Sequence, residues 1–265
     1  MLKMAVVGKD VSRSLSPKMH KFIVEHMGES CTYDAISLSP ETFGEKIEEI
    51  LSGYDFVNVT IPFKLDVMKH LKRVEGDAKV FGAVNTVCAK ERVGYNTDGV
   101  GFMLSLACNG VDMRGRKALV VGTGGVGRSV IYKLAEAGAS VFATEKSSER
   151  LKEVWDEFGC FTPLAAAEPD DYDLVLNCTG VGMHKSVGMS PVGAELLCRC
   201  DTAYDLIYEP KQSEFLRIAE SCGKKTINGE GMLFYQAYYA DCIFLGRTPD
   251  EREAKRLFDA YTEEL

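Results

Sequence analysis

The stretch "KALVVGTGGVGRSVIYKLAEAG", Lys117 to Gly138, constrains the fold more than any other. A short apolar run ends in glycine, and an apolar pattern of helical period follows it. Between them Gly122, Gly124 and Gly127 stand in a G-x-G-x-x-G register. Glycines there let the backbone turn sharply and approach a pyrophosphate, while the N–H groups of the new helix face the anion. A second strand, "SVFATEK", comes next, so the segment is a βαβ unit, which requires a parallel sheet covered by helices. The pattern predicts dinucleotide binding by Gly122, Thr123, Gly124, Gly125, Val126 and Gly127. A tight strand-to-helix turn without a ligand is the plainer alternative.

The alternation continues in both directions. "SSERLKEVWDEFG", "YDLVLNCT", "TAYDLIY" and "SEFLRIAESCG" read as helix, strand, strand and helix. Upstream, "KMAVVG", "SPKMHKFIVEHMG", "CTYDAISL", "SPETFGEKIEEILSG", "YDFVNVTI" and "FKLDVMKHL" read βαβαβα and predict another parallel sheet. The tail differs. "GEGMLFYQAYYADCIFLG" and "TPDEREAKRLFDAYTEEL" are helices, the second with Thr248, Pro249 and Glu251 as a predicted capping box. The fold expected is α/β with two domains. One is a mostly parallel α/β substrate domain over residues 1–105, completed by 229–265. The other is a Rossmann-type dinucleotide domain over 106–228, with the chain changing domain near Gly110. The site is expected where the domains face each other.

The chain has 265 residues and a formal net charge of -8, which disfavours nucleic acid and anionic membrane as partners. No segment reads as a signal peptide or a transmembrane helix. The nine cysteines are odd in number and mostly sit in apolar runs, so they read as reduced thiols of a cytoplasmic protein. "CRC" at 198–200 lacks a second Cys/His pair at zinc spacing, and no metal site is expected.

Three polar knots lie near strand ends. In "NVTIPFK", Asn58 and Thr60 share a face at the carboxyl end of a strand, where open α/β sheets bind ligands. Pro62 stops that strand, and Lys64 falls in the first turn of the expected helix, where the helix dipole disfavours a cation. Taken alone, Lys64 reads as a surface lysine. "GAVNTV" brings Asn85, and "YNTDG" brings Asp98, which could equally be a helix N-cap. Ser14 and Ser16 in "SRSLSP" could hold a carboxylate or cap a helix. At the end of "SVFATEK", Glu145 suits the ribose 2′-hydroxyl of NAD, whereas Lys146 and Arg150 suit the 2′-phosphate of NADP.

The ordered motifs "SLSPKMH", "NVTIPFK", "GAVNT", "YNTDG", "GTGGVGR", "YDLIYEP" and "NGEGMLFYQA" resemble those of the shikimate dehydrogenase family, and the likeness runs essentially from end to end. The resemblance implies reversible, NADPH-dependent reduction of 3-dehydroshikimate to shikimate in aromatic amino-acid biosynthesis. It implies Lys64 and Asp98 as the catalytic pair, with Ser14 and Ser16 on the substrate carboxylate. Thr60, Asn85 and Gln236 would hold hydroxyls and the reacting oxygen, and Tyr208 would line the same site. Leu206 and Gly229 would approach the nicotinamide end. The cofactor implied is NADP, with NAD use open because Glu145 replaces the family's frequent asparagine. Two alternatives remain at this level: a catabolic, NAD-preferring quinate/shikimate dehydrogenase, and a non-catalytic ligand sensor. Relatives occur as monomers and homodimers.

Overall fold

The computed structural model describes residues 1–164 and 171–264, in two compact units: Met1–Gly101 with Phe234–Leu265, and Phe102–Leu233. The first unit opens as the alternation predicts, with β1 (Leu2–Gly8), α1 (Ser16–His26), β2 (Cys31–Ser37), α2 (Pro40–Gly53) and β3 (Phe56–Val59). Ser39 caps α2 by accepting from the Thr42 N–H. β1 pairs in parallel with both β2 and β3, so it is buried on both faces and apolar from Met4 to Val7.

Beyond β3 the expected parallel rhythm fails. The predicted helix after Pro62 is a single 3-10 turn, Asp66–His70, and Lys64 precedes it in an irregular turn, so the dipole argument does not apply to that lysine. Then come β4 (Arg73–Val74), α3 (Asp77–Phe81), β5 (Thr86–Cys88) and β6 (Val93–Tyr95). β5 runs antiparallel to β3 and to β6, giving a mixed six-stranded sheet in the order β2-β1-β3-β5-β6-β4. Strands of two or three residues are too short to show a period, and Arg92 makes its left-handed turn (φ 57°) without a hairpin glycine, so this hairpin was hidden in the sequence.

α4 (Asp98–Cys108) follows, and the unit boundary falls inside it, between Gly101 and Phe102. The return boundary falls inside α9 as well. Both differ from the boundaries expected near 105 and 229, because a domain change within a helix leaves no break in composition.

The second unit contains β7 (Lys117–Val121), α5 (Gly125–Glu136), β8 (Ser140–Thr144), α6 (Ser148–Phe158), β9 (Thr162–Pro163), β10 (Tyr172–Asn177), α7 (Ala194–Leu197), β11 (Cys200–Asp205), α8 (Glu214–Ser221) and β12 (Lys225–Ile227). Every strand pair is parallel, in the order β12-β11-β10-β7-β8-β9. Counted from β7 as the first strand, this is the 3-2-1-4-5-6 order of dinucleotide-binding sheets, with its switch point between β7 and β10. Successive residues of β7 serve opposite faces. Ala118 and Val120 join one apolar cluster with Val130, Ile131 and Leu134 of α5, while Leu119 and Val121 join another with Phe215 and Leu216 of α8. Met232 packs in the first of these clusters.

α9 (Glu230–Leu245) and α10 (Glu251–Glu263) end the chain. The cap of α10 is Asp250, accepting from the Glu253 N–H, and not the expected Thr248 box, because the helix starts two residues later than Pro249 suggests. The reading of all cysteines as reduced thiols is also corrected. Cys198 and Cys222 form a disulfide that ties the residue after α7 to the end of α8, while seven other cysteines are free. Among the described residues no group of side chains could hold a metal ion, and no helix is long and apolar enough to cross a membrane.

Candidate active site

The polar site of the first unit is built where β3, β5, β6, α4 and α9 bring their ends together. The turn carrying Lys64 is pinned to the next knot by a backbone bond from the Val84 N–H to the Lys64 carbonyl, 2.8 Å. That places the Lys64 ammonium 2.6 Å from Asp98 Oδ2, with both side chains largely buried. Asp98 opens α4, but its carboxylate is not spent on the helix. Asn96 takes that work, its Oδ1 accepting from the Asp98 N–H at 3.0 Å while its Nδ2 donates to the Ala83 carbonyl. Asp98 therefore keeps one oxygen for Lys64 and the other for Asn85 Nδ2, at 2.9 Å.

Asn85 is the hub. Its Nδ2 also lies 3.1 Å from Thr97 Oγ1 and 3.5 Å from Gln236 Oε1, and its Oδ1 accepts from the Thr97 N–H and the Thr86 hydroxyl. Gln236 reaches this group because α9 lies close to α4. A β-carbon on Gly101 would meet the Gln236 backbone nitrogen at 2.6 Å, so the approach requires glycine. The structure thus brings Lys64, Asp98, Asn85 and Gln236 into one network. Ser16 joins by another route: its hydroxyl bonds the phenol of Tyr33, which donates to Asn58 Oδ1 at 2.8 Å. Asn58 Nδ2 in turn faces the Asn85 carbonyl and Thr86 Oγ1, both at 3.4 Å. Ser14 and Thr60 stand apart from these bonds. The Ser14 hydroxyl accepts from the Ser16 N–H, and the Thr60 N–H donates to the Val7 carbonyl. Tyr208 belongs to the second unit, just beyond β11, where burial and the neighbouring Glu209 push its phenol above the ordinary range.

Sequence reasoning missed Tyr33, the Thr97 contacts and a buried pair, His20 with Asp241. The signal for the last was visible: Asp241 is a lone carboxylate in the apolar run "AYYADCIFLG".

The glycine loop of the second unit is built from backbone. Gly122 adopts φ +97°, and a β-carbon there would meet Thr179 Cγ2 at 2.7 Å. A β-carbon on Gly127 would meet the Gly122 carbonyl oxygen, so α5 can start against β7 only with glycine at this position. Gly124 and Gly125 instead open α5 with nothing within 4 Å of a β-carbon. This is the cradle an incoming pyrophosphate requires: two glycines that close the turn, and two at an open helix N-terminus. Thr123 and Val126 complete the loop.

Glu145 at the end of β8 faces this loop. Its Oε2 accepts from the Thr123 N–H at 3.0 Å and the Thr123 hydroxyl at 3.3 Å, and its Oε1 from the Lys146 N–H at 2.8 Å. Burial works to raise its pKa, but these bonds and the Arg150 charge outweigh it and hold the carboxyl below its ordinary range. Lys146 and Arg150 are exposed beside it. At the other end of the unit, Gly229 packs against Leu206, whose carbonyl would collide with any β-carbon at 229.

A dinucleotide-binding sheet with this loop, and a second α/β unit carrying a lysine–carboxylate pair among amides and hydroxyls, define a dinucleotide-dependent oxidoreductase. Comparisons with known proteins narrow the class. Residues 6–87 match the model of the shikimate dehydrogenase substrate binding domain. A shikimate dehydrogenase (NADP(+)) of Thermus thermophilus is 37% identical over 253 residues, covering 94% of this chain and 95% of that one. A structure of the Thermus thermophilus enzyme in complex with NADP(H) and shikimate superposes with a TM-score of 0.87 at 35% identity, over 98% of this chain and 99% of that one. A chorismate mutase/shikimate 5-dehydrogenase fusion protein from Clostridium acetobutylicum gives 0.88 at 30% identity, covering 100% and 98%. The chain belongs to the shikimate dehydrogenase family.

Proposed function

We propose that this protein catalyses the reversible NADPH-dependent reduction of 3-dehydroshikimate to shikimate. The observation that carries the reading is the 2.6 Å contact between Lys64 Nζ and Asp98 Oδ2, held among Asn85, Thr97 and Gln236. Bound NADPH supplies the hydride, and the residues of the chain handle the charge and the proton. The Lys64 ammonium has three hydrogens. One is committed to Asp98, which leaves the others to meet the substrate oxygen that gains negative charge. Lys64 stabilises that charge and delivers its proton there, as a general acid in reduction and a base in oxidation. Asp98 orients the ammonium and is itself held in place by Asn85. Gln236 and Asn85 are positioned to bind ring hydroxyls, Ser14 and Ser16 the carboxylate, and Thr60 and Tyr208 complete the substrate contacts by family correspondence.

NADP is favoured over NAD because the Glu145 carboxylate already serves Thr123 and Lys146, whereas the Lys146 and Arg150 side chains are exposed to take a 2′-phosphate. Residues 1–101 with 234–265 would then be the substrate domain and 102–233 the cofactor domain. Seven free thiols beside a single disulfide favour the cytoplasm as its compartment.

The test is initial-rate oxidation of shikimate with NADP and with NAD, and of quinate in parallel. Preference for NADP with shikimate is expected. A double K146A/R150A variant should raise the KM for NADP about tenfold, as for loss of a charge-assisted contact, and leave NAD kinetics unchanged. Faster turnover of quinate with NAD overturns the assignment.

A further inference from the structure

Beneath the substrate site lies a buried pair that the reaction does not use. His20, on α1, and Asp241, on α9, are both 0% exposed, and His20 Nδ1 is 2.7 Å from Asp241 Oδ1. Their remaining polar atoms, His20 Nε2 and Asp241 Oδ2, have no hydrogen-bond partner among the described residues. A buried histidine–carboxylate pair that is only half satisfied is costly to folding, and apolar side chains would fill the same volume more cheaply. Such a feature calls for a role other than stability.

Its position supplies one. The His20 ring stacks on Tyr33, with centroids 4.9 Å apart and planes 17° from parallel. Asp241 fixes the imidazole, and the imidazole fixes the phenol. The Tyr33 oxygen then does two things: it accepts from the Ser16 hydroxyl and donates to Asn58 Oδ1 at 2.8 Å. Asn58 has a further hold, through its Nδ2 to the Asn85 carbonyl and Thr86 Oγ1. Ser16 stands at the start of α1, where no side chain caps the helix, and Tyr33 is the side-chain partner that sets its hydroxyl.

We propose that Asp241 and His20 form a buried brace for the Tyr33 ring, and that the Tyr33 hydroxyl is the positioning group for Ser16 and through it for the substrate carboxylate. This deepens the function proposed above and rests on its placement of Ser16 at the carboxylate. Tyr33 and Asp241 touch neither Lys64 nor the glycine loop, so the brace acts on shikimate binding and not on hydride transfer or NADP binding.

The experiment compares wild type with Y33F, D241L and D241N. It measures KM for shikimate and for NADP, kcat, shikimate Kd by calorimetry, and Tm. Y33F keeps the stacked ring and loses only the hydroxyl. It is expected to raise shikimate KM and Kd about fivefold or more, the loss of one positioning hydrogen bond, with kcat and the KM for NADP within about twofold. D241L should do the same, and D241N, which keeps an acceptor for His20, should stay near wild type. Should D241L fail to fold, Y33F decides alone. Shikimate binding by Y33F within twofold of wild type overturns the brace. So does a change in kcat and both KM values together in step with Tm, which would make the pair merely structural. A wild type that neither binds nor oxidises shikimate overturns this proposal and the assigned function together, whereas one that does both while Y33F is unimpaired overturns the brace alone.

Discussion

The two functional regions are made of different material. Around Lys64 the working atoms are side-chain nitrogens and oxygens, each held by another: Asn96 frees Asp98, Asn85 fixes Asp98, and Asp98 aims Lys64. Around Gly122 the working atoms are backbone, and the loop takes its shape from side chains that are missing. The first region should therefore lose chemistry when one atom is removed. The second should lose shape when one atom is added.

The largest effect should come from Lys64→Ala. Removing the charge and proton donor is expected to lower kcat by roughly 10²–10⁴-fold, with Tm within a few degrees of wild type, since the ammonium has a single partner near the site surface. Rates of shikimate oxidation check this, and near-normal turnover would take Lys64 out of the chemistry.

Next, the two kinds of glycine can be set against each other. Gly127→Ala forces a β-carbon onto the Gly122 carbonyl and should cost about 1–3 kcal/mol of stability while raising the KM for NADP. Gly124→Ala meets nothing within 4 Å, so it should leave Tm unchanged and affect only NADP binding. Equal Tm values for the two in thermal unfolding would break the distinction between closing and open glycines.

A smaller loss is expected from Asn85→Ala. It strands Asp98 Oδ1 and the Thr97 N–H, a cost of about 1–3 kcal/mol, and should lower kcat about tenfold by loosening Asp98. Denaturant unfolding and initial rates measure the two parts. If stability falls while kcat holds, Asn85 is structural only.

The smallest effect concerns Glu145, the one side chain on which the loop leans. Its carboxyl has a lowered pKa in the folded state, so its contribution is present above the unfolded value of about 4.3 and is lost as pH falls through the folded value. Glu145→Gln should therefore cost under about 1 kcal/mol at neutral pH, and its Tm should converge with wild type in acid. A Tm difference that widens on acidification would reverse the sign and refute the contact.

Legibility in the sequence followed the same divide. The glycine loop was readable because backbone geometry restricts residue choice at Gly122 and Gly127, and the strand before and the helix after have periods of their own. The Lys64 site was readable only as a set of motifs. Nothing local distinguishes Asp98 as a partner of Lys64 from Asp98 as a helix cap, since that choice is made by Asn96 and Asn85. The β5–β6 hairpin escaped because its strands are three residues each. The Thr248 box failed because Asp250 is an equally good cap two residues later. The Cys198–Cys222 bond depends on α7 and α8 lying together, which no spacing reveals.

By itself the sequence determined the α/β class, the dinucleotide loop, the family and the residue types available for catalysis. These depend on local period, on backbone freedom and on ordered motifs. Only the tertiary structure decided which oxygen of Asp98 faces Lys64, that Glu145 turns to Thr123, where the units divide within α4, and that His20 and Asp241 meet 221 residues apart. The physical reason is that hydrogen bonds and packing act over a few ångströms of space, and distance along the chain does not encode which groups come that close.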